Sequence, residues 1–355
     1  MVTSNNMKNK RTLVIAVTGL NAIDSPGPGV AVIRCLRECP DFDVRIIGLS
    51  YEALEPGIYM HELVDKTYQI PYPSAGYESL LQRLGQIHHT EKIDLVIPNF
   101  DAELFSFIKL RNELEKLGIH SFLPDLEQFE ARHKTILSKF GKKHQIMVPE
   151  DRIINHVTDL TKAVAELDYP LVVKGKFYDA TIVHTLEAAQ KAFYQLQAKW
   201  GLPVIAQKFI NGTEINIAAL GDGKGNTISV IPMRKLYITD KGKAWAGITI
   251  EDASYIELAK KFVKITKWRG GCELEIMQTT DGVSYIMEVN PRFPAWIYLT
   301  AAAGQNQPAT LVKMAMGEHV EPFQTYEVGK MFIRYSWDLI TDVSEFQKIS
   351  GEGEL

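Results

Sequence analysis

The sequence predicts an α/β fold in its first third and an α+β fold in the remainder, on two observations. Up to residue 124, short apolar runs rich in β-formers alternate with helical patterns, which is the order of a parallel sheet. From residue 125, strand-like runs follow one another closely, as in "CELEIMQTTDGVSYIMEVN", which predicts antiparallel pairs. We therefore expect an N-terminal α/β domain followed by a part of mixed architecture.

In the N-terminal part, "TLVIAVT" is the first predicted strand, and a glycine- and proline-rich loop, "GLNAIDSPGPG", leads from it into a helix. Further strands are predicted in "DVRIIGLS" and "IDLVIPNF", with a shorter one in "HSFLP". Asp101 and Glu103 follow the strand of "IDLVIPNF", where α/β sheets place their ligand crevice. We interpret these two acids as candidates for contact with a substrate.

The second part begins with a helical stretch, "LEQFEARHKTILSKFGKKHQI". Strands in "YPLVVKGKF" and "LPVIAQKFI" enclose the helix "TLEAAQKAFYQLQAKWG", which ends at a glycine stop signal. Two more strands, "TEINIAALGDG" and "NTISVIPMRKLYI", precede the helix "ASYIELAKKFVKITKW" and a final hairpin. The tail after residue 320 is interpreted as a docking element or an edge strand.

Composition and charge limit the classes of function. The chain has 355 residues, 46% hydrophobic and 23% charged, with a formal net charge of −4. These values are those of a soluble globular protein and do not indicate nucleic-acid or membrane binding; no signal peptide or membrane span is predicted. Cys35, Cys39 and Cys272 lack the spacing of a metal site, so we interpret them as free thiols in a cytoplasmic protein.

The final hairpin carries the main functional signal. Glu288, Asn290 and Arg292 occupy alternate positions and would leave one face of a strand, whereas Met287 and Val289 leave the other face and are predicted to be core. An acid, an amide and a guanidinium in one row are unusual for a purely structural strand. The alternative is a solvent-exposed hairpin with ordinary polar residues.

The partner strand adds further acids to this face. A two-residue turn at Asp281-Gly282 gives the facing pairs Thr280–Val283, Glu275–Glu288 and Glu273–Asn290. Facing carboxylates repel, so they require protonation, a basic partner or a bound cation. Mg²⁺ prefers carboxylate and phosphate oxygens, and an arginine can bind phosphate through two hydrogen bonds. The hairpin therefore predicts a platform for Mg²⁺ and phosphate.

"MEVNPR", preceded by "CELEI", resembles the metal-binding end of the ATP-grasp fold, which biotin carboxylase, the carbamoyl-phosphate synthetase large chain and D-alanine–D-alanine ligase share. Loose motifs in the family's order extend the resemblance from Leu13 to Gly317. It implies a Rossmann-like, pre-ATP-grasp domain followed by a two-lobed ATP-grasp fold. The implied boundaries are 1–124 for the N-terminal domain, 125–206 for the small lobe, 207–320 for the large lobe and 321–355 for a C-terminal strand and tail.

The resemblance implies roles for individual residues. Two phosphate-binding lysines are matched by Lys134 and Lys174, with His133 in place of the usual Asp. The stretch "AQKFINGTE" matches the nucleoside site, with Gln207, Lys208, Phe209 and Ile210 along the adenine and Glu214 at the ribose. The implied metal ligands are Glu275, Glu288 and Asn290, with Glu273 as an additional acid. The implied catalytic residues are Arg292, Lys174 and Arg234.

Two segments differ from the family pattern or leave alternatives. Relatives have a glycine-rich loop over the phosphates, whereas "KGKFYDATIV" has a single glycine and the bulky Phe177 and Tyr178, so Lys176 is an alternative cover. Arg234 and Lys235 are adjacent on a predicted strand, so only one can face the site, and Arg234 is favoured.

The resemblance implies an ATP-dependent ligase that joins a carboxylate to an amine, or to a thiol, through an acyl phosphate, with release of ADP and phosphate. Its expected cofactors are ATP and Mg²⁺, which Mn²⁺ can replace. Its expected partners are a small-molecule or peptide carboxylate and an amine acceptor, and a homodimer is one expected assembly because dimers are common in the family. The alternatives are a non-catalytic nucleotide-binding regulatory protein and a simple phosphotransferase.

Overall fold

The computed structural model describes residues 11–23, 25–176 and 179–355, so Phe177 and Tyr178 of the predicted phosphate cover lie outside the described residues. The chain forms two compact units. The first comprises 1–129, 217–273 and 290–355, and the second comprises 130–216 and 274–289. Each unit combines segments that are separate in the sequence. The four-part division inferred from the sequence stays a prediction.

A parallel sheet organises the N-terminal part of the first unit. Its elements are β1 (Thr12–Val17), α1 (Pro28–Arg37), β2 (Asp43–Ser50), β3 (Lys66–Gln69), α2 (Tyr77–Glu91), β4 (Leu95–Ile97), α3 (Asp101–Leu117) and α4 (Leu126–Ala131). The strand order is β3-β2-β1-β4 and the pairings are parallel, which confirms the α/β prediction. The strand predicted in "HSFLP" is reduced to one bridge between His120 and Leu95.

Both faces of this sheet are covered, as its apolar strands require. Ile15 and Val17 of β1 are buried in a cluster that includes Leu36 of α1. Ala16, on the opposite face, is buried in a second cluster that includes Leu84 of α2 and Phe107 of α3. The two-residue period of β1 thus separates the two cores.

The remaining elements alternate between helices and mostly antiparallel strands. They are α5 (Lys134–His144), β5 (Asp151–Ile154), α6 (Asp159–Leu167), β6 (Leu171–Lys174), β7 (Ala180–Val183), α7 (Leu186–Trp200), β8 (Val204–Lys208), β9 (Thr213–Asp222), β10 (Thr227–Ile238), β11 (Ala244–Thr249), α8 (Ala253–Thr266), β12 (Arg269–Gln278), β13 (Ser284–Asn290), α9 (Tyr298–Ala302), α10 (Gln307–Ala315), β14 (Met331–Ile333) and α11 (Val343–Glu352). Within the described residues, one sheet has the order β5-β8-β6-β7 and another has the order β13-β12-β9-β10-β11-β14. The pairs of β8 with β5 and β6, and of β10 with β11, are antiparallel, as predicted for an α+β part.

The sheet of the second unit has one apolar face and one polar face. Leu171, Val173 and Ala206 are buried in a cluster with α6 and α7, which includes Phe193. On the other face, Lys174 and Gln207 lie beside the apolar Ile205, and Asp151 pairs with Gln207. Helices α6 and α7 therefore cover one face, and polar groups lie on the other.

The helical stretch predicted after residue 125 is interrupted. Its first helix, α4, ends at Ala131, and α5 begins at Lys134 after an extended residue, His133, at the N-cap position. The break gives α5 an N-terminus of its own, where the Ile136 and Leu137 amides donate to the His133 carbonyl. None of the described helices is both long and apolar enough to cross a membrane.

The C-terminal tail folds against the first unit. Strand β14 pairs antiparallel with β11, and α11 buries Ile349 completely. Beyond α11, the amides of Thr67 and Gln69 in β3 donate to the carbonyls of Leu355 and Gly353, both at 2.8 Å. The tail therefore contributes an edge strand and also docks on the exposed edge of the parallel sheet.

Candidate functional site

The hairpin between β12 and β13 differs from the predicted two-residue turn. The Thr279 amide donates to the Val283 carbonyl and the Gly282 amide donates to the Thr279 carbonyl, both at 2.9 Å. The loop thus has three residues and ends at Gly282 with φ of +86°, a conformation that glycine adopts without steric cost. The predicted pair Thr280–Val283 is therefore wrong, and Thr279 faces Val283 instead.

A cavity with about 270 Å³ of empty space lies at the polar face of the sheet in the second unit. Its wall is formed by Lys134, Leu137, Val148, Asp151, Lys174, Ile205, Gln207 and Met287. The two predicted phosphate-binding lysines and the first predicted adenine-binding residue thus meet around one space. The wall also includes Asp151, which the sequence did not single out, although its register opposite Gln207 explains its place.

Met287 was predicted to be core but lines this cavity. The Ile286 amide donates to the Met147 carbonyl at 2.9 Å, which aligns β13 with the segment before β5. Ile286 and Val289 are fully buried, so they occupy the core positions on this strand. The alternation of residues along β13 could not show which side chain would be buried, because Met147, which bonds to this strand, lies about 140 residues away in sequence.

The two acids predicted to face each other both lie close to Lys174. Burial lowers the pKa of Lys174 and Lys134 lowers it further, while Glu288, Glu275 and Asp151 raise it. The Lys134 Nζ is 3.4 Å from Glu288 Oε1. These charges form a cluster in which cations and carboxylates alternate, so both acids are compensated at close range.

Further cations surround the start of α5. Burial lowers the pKa of His133, and the nearby charges of Arg132, Lys176 and Lys134 lower it further. Lys176 therefore lies near this helix start. This position is the one expected if Lys176, in place of a glycine-rich loop, covers the phosphates. A helix N-terminus with several adjacent cations is suited to a polyphosphate.

The predicted nucleoside site is only partly assembled around the cavity. Gln207 is 6% exposed, and its Oε1 has no hydrogen-bonding partner among the described protein groups. Lys208 is exposed and Ile210 is buried; of the described residues, the cavity wall includes neither these two nor Phe209 nor Glu214. The roles of these four residues at adenine and ribose stay predictions.

The acid–amide–arginine row continues in the first unit. Asn290 Nδ2 donates to Glu273 Oε2 at 3.1 Å, so these two residues share a face as predicted. Glu273 Oε1 accepts from Trp296 Nε1 at 2.7 Å. Both oxygens of Glu273 thus accept hydrogen bonds, which gives this buried acid a part in positioning Asn290.

Arg292 lies beyond the end of β13 and contacts carboxylates. Its Nε donates to Asp101 Oδ2 at 3.0 Å, and its Nη1 lies 3.7 Å from Glu273 Oε2. The contact with Asp101 spans 191 positions in sequence, so periodicity could not predict it. A phosphate contact for Arg292 stays a prediction.

The predicted magnesium ligands stay a prediction. Glu275 and Glu288 lie in the second unit, and Asn290 lies in the first unit, where its Nδ2 donates to Glu273. Among the described residues, no group of three or more His, Cys, Asp and Glu side chains could hold a metal. The predicted set contains two such acids and one amide.

Glu103 has a structural role in place of the predicted contact with a substrate. It is fully buried and accepts hydrogen bonds from Thr18, Tyr51 and the amides of Asn99 and Phe100. Burial raises the pKa of its carboxyl group. Its carboxyl group thus ties together the residues that follow β1, β2 and β4 at the start of α3.

Two basic residues on β10 differ in their surroundings. Arg234 is exposed, whereas Lys235 is half-buried and its Nζ donates to the Gly242 carbonyl at 3.2 Å. Their alternate directions agree with the expectation that only one can face a site. The catalytic role of Arg234 stays a prediction.

Residues 202–333 match a family described as "ATP-grasp in the biosynthetic pathway with Ter operon". The chain is 28% identical over 196 residues to the D-alanine–D-alanine ligase of Cupriavidus metallidurans, which covers 50% of this chain and 59% of that enzyme. It is 24% identical over 267 residues to the carbamoyl phosphate synthase large chain of Caldanaerobacter subterraneus subsp. tengcongensis, covering 66% and 23%. The chain thus spans less than two thirds of these curated relatives.

Solved structures share the same fold. Biotin carboxylase from Campylobacter jejuni, solved as a β-γ-ATP complex, matches with a TM-score of 0.70 and 15% identity over 90% of this chain and 74% of that one. The N5-carboxyaminoimidazole synthetase from Staphylococcus aureus matches with a TM-score of 0.67 and 16% identity over 91% and 81%. The fold is therefore that of the ATP-grasp proteins. Residues 202–333 carry the match to the ATP-grasp family of the Ter operon, and the chain is similar in sequence and fold to ATP-grasp enzymes.

Proposed function

We propose that the protein is an ATP-dependent ligase that joins a carboxylate to an amine. The observation that carries this proposal is the cavity of the second unit, where Lys134 and Lys174 meet Gln207, with Glu275 and Glu288 acting on Lys174. These residues come from separate stretches of sequence, and each was singled out for nucleotide or metal binding. The ligases among its relatives support the reaction class.

The chemistry requires two anions to approach each other. A carboxylate oxygen attacks the γ-phosphorus of ATP, the bond to ADP breaks, and an acyl phosphate forms. The amine nitrogen then attacks the carbonyl carbon, phosphate leaves, and the nitrogen loses a proton to solvent. The barrier to the first step falls when fixed positive charges offset the repulsion between the anions.

The side chains of this chain are suited to that task. Lys134 and Lys174 would bind phosphate oxygens, and the start of α5 would add its N–H groups. Glu275 and Glu288 of the second unit would hold Mg²⁺, which when bound neutralises phosphate charge. The Gln207 Oε1 would accept a hydrogen bond from the adenine amino group. Lys134 contacts Glu288, and Lys174 lies near Glu288 and Glu275, so the lysines and the acids are close enough to act on one polyphosphate.

The test is nucleotide turnover in the presence of candidate substrates. We expect ADP release that requires both a carboxylic acid and an amine, from a screen of amino acids, peptides and other acids. Release with an acid alone would identify a phosphotransferase instead. Nucleotide binding without turnover in any combination would identify a regulatory protein.

The substitution Glu288→Gln is expected to reduce ATP turnover by about a hundredfold or more, because it removes a charged metal ligand while keeping the shape. The fold should survive, since the ion pair with Lys134 is partly exposed and such pairs contribute little stability. Glu257→Gln is the matched control, because Glu257 forms an exposed ion pair with Lys260 on α8. Full activity of Glu288→Gln with Mg-ATP would contradict the metal assignment.

A further inference from the structure

The loop that joins β6 to β7 in the second unit is closed at its base. Lys174, the last residue of β6, pairs with Ala180, the first residue of β7. The Gly175 amide donates to the Asp179 carbonyl at 3.0 Å. The two ends of the loop are therefore fixed to each other directly beside Lys174, which lines the cavity of this unit.

Asp179, at one end of the loop, combines an unusual backbone conformation with two side-chain contacts. Its φ is +65°, in the left-handed region, which aspartate tolerates better than most other side chains. Its Oδ2 accepts from Lys199 Nζ at 2.7 Å and from Trp200 Nε1 at 2.8 Å. These two bonds lower the pKa of the Asp179 carboxyl group, so it is ionised at neutral pH. We call Asp179, Lys199 and Trp200 the α7 clamp.

The α7 clamp ties the loop to a rigid element of the same unit. Lys199 and Trp200 are the last two residues of α7, and this helix buries Phe193 and Leu196 in the core that covers the sheet. The Lys199 ammonium also lies 5.1 Å from the centroid of the Trp200 ring. The end of α7 is therefore a fixed point to which Asp179 holds the loop.

Lys176 lies within the closed loop and belongs to a group of cations at the start of α5. Its charge adds to the burial that lowers the pKa of His133, as do the charges of Arg132 and Lys134. Like charges at this range repel each other. The arrangement is therefore favoured by a loop that is held in place and by an anion that binds among these cations.

We propose that Asp179 is a positioning residue for the polyphosphate of ATP, because the α7 clamp holds Lys176 at the phosphates. A glycine-rich loop would bind phosphate through its backbone N–H groups. In this chain, a lysine side chain on a clamped loop takes that task. The inference rests on the nucleotide site of the proposed function, to which it adds a residue that acts on the phosphates only through another side chain.

The test compares binding of Mg-ATP and of adenosine by isothermal titration, well below the unfolding temperature. Asp179→Gly removes the side chain but keeps a residue that adopts positive φ without steric cost. We expect it to weaken Mg-ATP binding by about five- to tenfold, as expected for the loss of much of one charged contact. Adenosine lacks phosphates, so its affinity should change by less than about twofold. Unchanged Mg-ATP affinity, or equal weakening of both ligands, would overturn the proposal.

Matched variants separate the clamp from a general effect on the backbone. Asp168→Gly is the control, because Asp168 is also an exposed aspartate with positive φ, +59°, and it should change Mg-ATP affinity by less than about twofold. Asp179→Asn keeps an oxygen that can accept from Trp200 but loses the charge for Lys199, so its affinity should be intermediate. If Asp179→Gly fails to fold, Trp200→Phe decides, since it removes the indole donor, and unchanged Mg-ATP affinity in it would overturn the proposal.

A double-mutant cycle shows whether Asp179 acts through Lys176. Lys176→Met alone should weaken Mg-ATP binding by about tenfold or more, whereas Lys191→Met, at an exposed position on α7, should change it by less than about twofold. In the Lys176→Met protein, adding Asp179→Gly should change the affinity by less than about twofold. Additive effects of the two substitutions would show that Asp179 acts without Lys176 and would overturn the proposal.

These outcomes are separable from those for the proposed function. Mg-ATP binding that depends on Asp179 and Lys176, without ADP release in any combination of acid and amine, would refute the ligase reaction and leave this inference standing. Substrate-dependent ADP release, with unchanged Mg-ATP affinity in Asp179→Gly, would leave the ligase function standing and overturn this inference.

Discussion

At the scale of single residues, burial and neighbouring charge determine what each polar group can do. Lys174 is buried beside Glu288 and Glu275, so its ammonium group is kept near the acids that compensate it. Glu55 has no such partner, and burial raises the pKa of its carboxyl group to about 7. Burial thus acts on both groups, and only Lys174 has opposite charges beside it that offset this effect.

The raised pKa of Glu55 makes stability depend on pH. The folded protein binds this proton more tightly than the unfolded chain, in which the carboxyl group has its ordinary pKa of 4.5. The free energy of unfolding should therefore fall as the pH rises from about 4.5 to about 7. We expect Glu55→Gln to raise it by up to about 3 kcal/mol at about pH 8, and by much less at about pH 5.

Urea unfolding at both pH values measures this difference. Glu52→Gln, at an exposed position nearby, should change the free energy of unfolding by less than about 0.5 kcal/mol at either pH. An equal effect of Glu55→Gln at both pH values would show that burial does not perturb this carboxyl group.

At the scale of elements, a glycine-rich turn determines how β1 joins α1. The Gly29 amide donates to the Gly19 carbonyl at 2.9 Å. A Cβ atom on Gly29 would lie 2.2 Å from the Thr18 carbonyl oxygen and 2.7 Å from that of Gly19. The loop can return this closely only because position 29 has no side chain.

We expect Gly29→Ala to lower the free energy of unfolding by about 3 kcal/mol, since backbone atoms must move to admit the methyl group. Thermal or urea unfolding measures the change. Gly85→Ala, inside α2 with nothing within 4 Å of the added Cβ, should instead raise stability by about 0.5–1 kcal/mol through helix propensity. The same sign for both substitutions would contradict the close approach at Gly29.

The hairpin illustrates the limits of prediction at this scale. Asn290 contacts Glu273 as predicted, although the register that predicted this pair started from a turn one residue too short. The turn was predicted one residue too short, since "TDG" fits both a two-residue turn and a three-residue loop ending in glycine. The segment around Met147 packs beside β13 and leaves Met287 at the cavity. This segment is distant in sequence, so its position was not predictable.

At the scale of the whole molecule, the tail protects the edge of the parallel sheet. Residues 353–355 pair with β3, and Ile349 of α11 is buried in the core that also contains Val64. Unpaired strand edges favour association with other chains, so this cover favours a single folded chain. A homodimer stays a prediction from the resemblance.

We expect Ile349→Ala to lower the free energy of unfolding by about 2–4 kcal/mol and to weaken docking of the tail. Hydrogen exchange should then accelerate at the Thr67 and Gln69 amides, which donate to the tail, but not at Gly48 inside the parallel sheet. Phe346→Ala, at a partly exposed position on the same helix, is the control with a smaller effect. Unchanged exchange at Thr67 and Gln69 would show that the tail docks independently of Ile349.

The sequence by itself determined the fold class, and it singled out the two lysines that meet at the cavity of the second unit. These depend on local periodicity and on the order of motifs along the chain. The tertiary structure decided which carboxylates are compensated and which remain without donors, as with Arg292 beside Asp101 and the unpartnered oxygen of Glu55. Such pairings join residues far apart in sequence, and their register is set by packing of whole elements rather than by any local pattern.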